Sequence, residues 1–444
     1  MSRRGANACL LLLLGCVALG FGTPAARADE AEPDSWSLHA QLTNVTQFQP
    51  DFRSPYEGEH SLVPGTQIQE TVDLTLYAGL RVWQGGELWL NPELDQGFGL
   101  SDTLGVAGFP SGEAYKVGSN PPYFRLPRAY FRQVIELGGE REAVGSAPNQ
   151  LGKTQSSDRL TLTLGKFSSV DVFDTNRYAH DPRGDFLNWS IIDAGAFDYA
   201  ADAWGYTYGM AAEWQQSWWT VRFGAFDMSE VPNGKELDES FSNVALMGEL
   251  EARQEWLGHP GAVKLLGFLN FADMASYRDA VALGEATGTA PNPALVRKRQ
   301  SRGGLALNVE QEVAADLGVF LRASTNDGRK EAYEFADINR SVSAGLSLGG
   351  RRWGRPDDSF GLAAVVNGIS RDARTYFDAG GLGILIGDGQ LPHYGVETVA
   401  ETYYSLRVAK WLTLALDYQF ISNPAYNRDR GPVSVVGLRV HMEM

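Results

Sequence analysis

Apolar and polar residues alternate one by one along segment after segment of this chain. In Gln67 to Trp83, QIQETVDLTLYAGLRVW, the apolar set Ile68, Val72, Leu74, Leu76, Ala78, Leu80 and Val82 shares one parity. Gln69, Thr71, Asp73, Thr75, Tyr77, Gly79 and Arg81 share the other. Successive strand side chains point to opposite faces, so this spacing predicts a long strand with one apolar and one polar face. Trp36, Leu38, Ala40 and Leu42 alternate in the same way with Ser37, His39, Gln41 and Thr43. Gln84-Gly85-Gly86 predicts a tight turn, and Glu87 to Leu94 pairs back.

The pattern recurs in Tyr123 to Leu137, around Leu160 to Leu164, and in two hairpins. These are Trp204–Gln215 with Trp218–Met228, and Ser242–Trp256 with Gly261–Met274. It continues through Leu305–Val309, Leu317–Ala323, Val342–Leu348 and Leu362–Val366, and ends with Val396–Ala409, Lys410–Ile421 and Val433–Met444. The count is sixteen strands with alternately short and long connections, which predicts an antiparallel transmembrane β-barrel whose polar face lines a water-filled lumen. Trp83, Trp214, Trp218, Trp256, Trp353 and Trp411 fall near strand ends, as interfacial girdles require. Asp95 to Pro122 reads as one long loop, and Phe167 to Ala203 loses the period for a length that marks a functional loop.

Two further features place the barrel. Arg3 and Arg4, the apolar run Leu10 to Leu19 and the small-x-small site Ala26-Arg27-Ala28 form a secretory signal, so residues 1–28 are a signal peptide and 29–444 a single barrel domain. Leu13-Leu14-Gly15-Cys16 also loosely matches a lipoprotein signal, but the apolar run ahead of Cys16 is short. After the signal no stretch has the ~18–20 apolar residues that a membrane helix needs. Barrels escape such a scan because lumen-facing residues dilute every lipid-facing strand.

Composition narrows the chemistry. Both cysteines, Cys9 and Cys16, lie in the signal, so disulfide and thiolate chemistry are excluded from the mature chain. Loss of Arg3, Arg4 and Arg27 leaves 35 basic residues of the 38 against 54 acidic ones, a net charge of −19 that disfavours a nucleic-acid partner. Ala147 to Thr154 fits a permissive phosphate-loop spacing, but Pro148 lies inside it and a strand pattern follows it instead of a helix. No two of the six histidines have helical zinc spacing, there is no nucleophile-elbow motif, and no cofactor is expected.

Asp171, Asp174, Asp181, Asp185, Asp193, Asp198 and Asp202 crowd one region with Arg177 and Arg183. Such density is compatible with structural calcium, which is left open, although no EF-hand order is present. It also suits a loop of paired charges facing water across a pore, offering sugar hydroxyls donors and acceptors, with Tyr130, Trp189 and Tyr199 as stacking surfaces. That these residues only hold the loop in place is an equally open reading.

Longer motifs carry a resemblance. Glu93 to Ser101 (ELDQGFGLS), Gly105 to Phe109, Ser111 to Lys116, RLPRAYFRQ from Arg125, Tyr178 to Arg183, Asp185 to Trp189, DAGAFDYAADAWG from Asp193, Glu397 to Tyr404 and GLRVHMEM from Gly437 resemble the OprB-type carbohydrate-selective porins. The resemblance implies a sixteen-stranded outer-membrane barrel of a Gram-negative cell that passes sugars such as glucose by passive diffusion. By match to those motifs it nominates Glu93, Asp95, Arg128, Arg132, Asp171, Asp174, Arg177, Arg183 and Asp185 for the constriction. Two departures stand out: the chain ends on Met444, where such barrels commonly end on an aromatic residue, and Asp273 to Arg302 is less like the family.

The expectation is therefore a non-enzymatic sugar channel in contact with outer-membrane lipid and lipopolysaccharide. The rivals are a channel for another solute, such as a general ion pore or a polysaccharide duct, and a barrel enzyme. No segment defines an association surface, so the oligomeric state is left open.

Overall fold

The computed structural model describes residues 33–114, 117–335 and 337–444; the expected signal peptide lies outside the described residues. Short turns join β2 (Gln67–Trp83) to β3 (Gly86–Gly97), β4 (Ser119–Val144) to β5 (Lys153–Phe167), β6 (Thr207–Gln215) to β7 (Trp219–Asp227) and β8 (Val244–Trp256) to β9 (His259–Met274). They also join β10 (Lys298–Ala314) to β11 (Leu317–Asn326), β12 (Arg340–Gly349) to β13 (Ser359–Gly368) and β14 (Glu397–Ala409) to β15 (Leu412–Ser422). Every strand pairs antiparallel with its sequence neighbours, and β1 (Trp36–Gln49) pairs with β16 (Val433–Glu443) to close a sixteen-strand barrel. At this seam Ala40 and Met444 exchange both backbone hydrogen bonds, at 3.0 and 2.9 Å.

The alternation places side chains as the sequence predicts. Asp73, Thr75 and Tyr77 point inward and are buried, whereas Leu76 and Leu80 on the same strand are 41% and 50% exposed. Exposed leucines on a barrel wall are the mark of a face that meets hydrocarbon. From Val72 to Val82 the outward residues span roughly 33 Å of strand, or about 25 Å once a tilt near 40° is included, which matches the apolar band of an outer-membrane barrel.

The tryptophans refine the girdle. Trp83, Trp214, Trp218, Trp256, Trp353 and Trp411 are all exposed and all lie at the short-turn end. The opposite end carries Phe48, Phe124, Tyr208 and Phe420 instead. The two ends of the apolar band are thus marked by different aromatic residues. Turn chemistry supports the hairpins: Leu257 and Gly258 have φ of +52° and +77°, the paired positive values whose twist matches the strands they join.

Three corrections concern boundaries and filling. The loop expected from Asp95 to Pro122 is shorter, because β3 continues to Gly97 and β4 starts at Ser119. The connection ahead of β10 is not uniformly irregular: it holds a helix at Tyr277–Thr287, started by Ser276 accepting from the Asp279 amide. The lumen is not simply water-filled, since the described part of the first long connection, 98–114, and the connection 168–206 fold into it and bury apolar side chains there. Phe167, Phe173 and Phe226 meet edge to face at 5.4 and 6.1 Å, and Phe186 packs on Tyr403 at 5.0 Å. The Ala147–Gln150 turn runs into β5 without a helix, as expected for a chance phosphate-loop match.

A loop buried inside a barrel must satisfy its backbone polar groups without bulk water. Wall carboxylates do this. Glu397 accepts from the amides of Ala107, Gly108 and Ala425 at 3.0, 2.7 and 2.9 Å, and Glu401 from those of Leu187 and Asn188 at 2.5 and 3.0 Å. Asp198, itself on the loop and paired with Arg302, accepts from the amides of Tyr333, Glu334 and Phe335 at 2.9, 3.0 and 3.2 Å.

Candidate functional site in the barrel lumen

Strand register brings acidic residues together on one inward face. Asp73 of β2 lies opposite Asp95 of β3, and Thr75 opposite Glu93. Facing like charges destabilise a sheet unless cations intervene. Two arginines supply them. Arg125 of β4 lies opposite Glu93 and reaches Asp95 at 3.4 Å. Arg183, from the 168–206 loop, spans the gap: its guanidinium is 3.0 Å from Asp73, 3.7 Å from Glu93 and 3.3 Å from Glu113, and it donates to the Tyr77 hydroxyl at 3.1 Å.

A second charge pair stands beside the first. Arg128 of β4 donates through Nε and Nη2 to both Asp171 oxygens, at 2.7 and 2.6 Å. This fork is the strong, directional form of an ion pair. Burial pushes the Asp171 carboxyl up, but the Arg128 charge and fork outweigh it and hold Asp171 below its ordinary value. Arg128 also lies over the Tyr206 ring at 5.0 Å, within cation–π range. Trp189 stacks on Phe109 at 5.3 Å and 12°, with its indole N–H 3.4 Å from the Tyr199 hydroxyl. Together Tyr77, Glu113, Arg128, Asp171, Arg183, Trp189, Tyr199 and Tyr206 face a cavity of about 310 Å³ inside the barrel.

The nominated residues divide among several places. Arg128, Asp171, Arg183 and Trp189 line this cavity, and Glu93 and Asp95 stand behind it as counter-charges. Arg132 faces the turn end, donating to the Asn149 carbonyl at 2.9 Å and the Tyr130 hydroxyl at 3.2 Å, with Glu87 3.8 Å away. Tyr130 is buried edge-on against Phe167. Asp174 is an anchor on the barrel wall, paired with buried Arg322 at 3.1 Å and accepting from the Ala194 amide and the Asn308 side chain at 2.6 and 2.7 Å. Asp185 closes a turn by accepting from the amides of His180 and Asp181 at 3.1 and 3.2 Å. Arg177 is exposed in a separate cleft beside Glu310 and Arg253.

Asp73, Tyr77 and Glu113 were not nominated. Parity alone puts Asp73 and Tyr77 on the inward face, and two facing aspartates with no cation nearer than Arg81 on their own strands are a signal that one must arrive from elsewhere. Glu113 carries no such signal, because it sits in an irregular loop. The crowded aspartates are mostly matched one to one: Asp171 with Arg128, Asp174 with Arg322, Asp198 with Arg302 and Asp202 with Lys166. Among the described residues no three His, Cys, Asp or Glu side chains are gathered as a metal site.

The loop carries a pH dependence. Burial, with the Asp174 charge adding to it, pushes Asp193 up to about 7, and burial with Asp181 pushes Asp185 up to about 6. Both native values lie above the unfolded one, so these two carboxyls hold more protons in the folded loop between about pH 4 and 7; buried His180, whose value burial lowers, offsets part of this, and the anchoring weakens as pH rises through that window. The 168–206 loop is expected to be protected more strongly at pH 5 than at pH 8, by about tenfold or more in opening equilibrium. Hydrogen exchange corrected for intrinsic pH dependence measures this; equal or reversed protection contradicts it.

Comparison with known proteins bears on this geometry. A family model described as carbohydrate-selective porin, OprB family, matches residues 59–444. The high-pH structure of Pseudomonas putida OprB superposes with a TM-score of 0.69 at 16% identity, covering 92% of this chain and 94% of that one. The low-pH structure of the same protein gives 0.51 at 13% identity, over 92% and 93% of the two chains. The outer membrane channel DcaP of Acinetobacter baumannii gives 0.52 at 11% identity, over 94% and 99%. No curated protein sequence matches significantly.

Proposed function

The chain belongs to the OprB family of carbohydrate-selective porins, and from that premise we propose that the cavity between the Arg128–Asp171 fork and the Arg183 cluster is where a passing sugar is selected. The protein is an integral outer-membrane channel for carbohydrates, and its family and fold are those of a channel rather than an enzyme. The finer reading is passive diffusion of monosaccharides such as glucose, with no catalytic step. Outer-membrane lipid and lipopolysaccharide meet the apolar band between the Trp and Phe/Tyr rows.

The observation that carries this reading is the pairing of charges around the cavity. Guanidinium and carboxylate groups held in fixed pairs offer alternating donors and acceptors to sugar hydroxyls. Each contact is weak against water, and several act at once, so the solute is recognised yet released. Trp189 and Tyr206 also line the cavity, their rings held in place by Phe109 and by Arg128.

Arg128→Ala removes the fork and leaves Asp171 unpaired. In planar bilayers, glucose-induced current block is expected to weaken about tenfold, the equivalent of ~1.4 kcal/mol of lost contact, and single-channel conductance to change with it. Arg132→Ala should have the smaller effect, because Arg132 faces Glu87 and Asn149 rather than the cavity. Unchanged block and conductance in Arg128→Ala remove the fork from the site. Liposome swelling with glucose against amino acids or salts of matched size separates sugar preference from a general pore.

A further inference from the structure

Four of the long connections converge at the opposite end from the short turns on a second cavity of about 190 Å³. Asn233, Tyr277, Arg297, Glu331, Asp337 and Gly383 line it, from the β7–β8, β9–β10, β11–β12 and β13–β14 connections. Arg297 forks onto Glu331 at 2.9 and 3.0 Å, and Glu331 is itself held by the Ala275 amide at 2.6 Å. Both groups are therefore fixed in orientation before any ligand arrives.

The remaining polar atoms are less well matched. Asp337 is 3% exposed; one oxygen accepts from the Leu385 amide at 2.7 Å and the Ile384 amide also approaches the carboxylate, while Oδ1 is buried without a well-formed hydrogen bond among the described residues. A Cβ on Gly383 would meet both Asp337 oxygens at 2.7 Å, so the glycine keeps the approach to the carboxylate open. Tyr277 is buried with its ring 4.7 Å from that of Tyr376, and its hydroxyl makes no hydrogen bond among the described residues. Arg302, fully buried and paired with Asp198, lies near enough to act electrostatically on Asp337 and Tyr277, and its Nε and Nη2 also lack partners there. Buried polar groups in native proteins are nearly always satisfied by protein, ordered water or ligand.

We propose that this cavity is a capture site for an uncharged monosaccharide at the long-loop mouth, filled before the sugar reaches the constriction. A polyol has vicinal hydroxyls that donate to Asp337 and accept from Arg297, with the Tyr277 hydroxyl as a third contact. Arg297 is matched by Glu331 and Arg302 by Asp198, which among the described residues leaves the Asp337 carboxylate as the acceptor without its own cation, open to a hydroxyl donor. The inference rests on the reading of the protein as a sugar channel and adds a second site to it.

The test is the sidedness of glucose block in planar bilayers with oriented insertion. The expected wild-type result is a glucose on-rate about five- to tenfold higher from the long-loop side than from the short-turn side. Tyr277→Phe and Asp337→Asn should each bring that ratio toward one. Tyr277→Phe is the sharper probe, because it removes only a hydroxyl that no described residue bonds, so a purely structural role would leave the ratio unmoved. Equal on-rates in the wild type, or an unchanged ratio in Tyr277→Phe, overturn the capture site alone. Absence of block from either side overturns the sugar-channel reading and this inference with it.

Discussion

Arg183→Ala is expected to convert the channel to marked cation selectivity. In the native arrangement one guanidinium lies within 3.0 to 3.7 Å of Asp73, Glu93 and Glu113 and bonds the Tyr77 hydroxyl. All three carboxylates are buried, and among the described residues the only other cation in contact with the cluster is Arg125 on Asp95. Removing Arg183 leaves the acidic side of the cavity without its central positive charge and widens the passage by the volume of the side chain. At an effective dielectric near 20, a unit charge about 10 Å away changes the energy of a passing ion by on the order of 1–2 kcal/mol. That corresponds to roughly a five- to thirtyfold change in the ratio of cation to anion permeability. The reversal potential in a potassium chloride gradient measures it directly, together with a higher single-channel conductance. An unchanged reversal potential would mean that ions do not pass Arg183. The constriction would then have to be placed elsewhere in the lumen.

Arg183 lies in a stretch without period and was legible only through the motif resemblance, whereas alternation reads the strand residues around it. Period-two patterning tells which way a strand side chain points, and it correctly set Asp73, Tyr77 and Arg128 inward and Leu76 and Leu80 outward. It says less about where a strand stops. The alternating pattern in β4 is read only from Tyr123 to Leu137. Instead β4 continues to Val144, pairing with β5 through register shifts at Glu136, Gly138 and Arg141. The error matters for function, since Arg128 and Arg132 share a face, but only Arg128 reaches the height of the cavity.

Loop residues were harder still. Asp171 and Asp174 lie three positions apart in a stretch without period, yet one meets Arg128 and the other Arg322, 148 positions away. No local pattern decides between those fates. The helix at Tyr277–Thr287, by contrast, carried a readable signal in Ser276 three residues before Asp279, hidden by the polar composition around it.

The distinction between lining and anchoring has its sharpest consequence at Asp174→Ala. Asp174 and Arg322 are each only 1% exposed in their side chains, and the aspartate also ties the Ala194 amide and Asn308 to the same point. Deleting one partner of a buried pair leaves an uncompensated charge and costs about 3–5 kcal/mol. That cost falls on the 168–206 loop rather than on the barrel, whose backbone ladder closes independently of it through β1 and β16. The expected result is a barrel that still assembles and resists heat in detergent. Its loop, however, should open about a hundredfold or more often than in the wild type, exposing Arg177 to Arg183 to trypsin and adding gating noise to single-channel traces. Asp171→Asn, which loosens the Arg128 fork but spares this anchor, should alter sugar block with much less effect on cleavage. If Asp174→Ala instead leaves the loop as protected as the wild type, Asp174 is not its anchor. The wall carboxylates Glu397 and Glu401, which grip the amides at 107–108 and 187–188, would then carry the lumen plug by themselves.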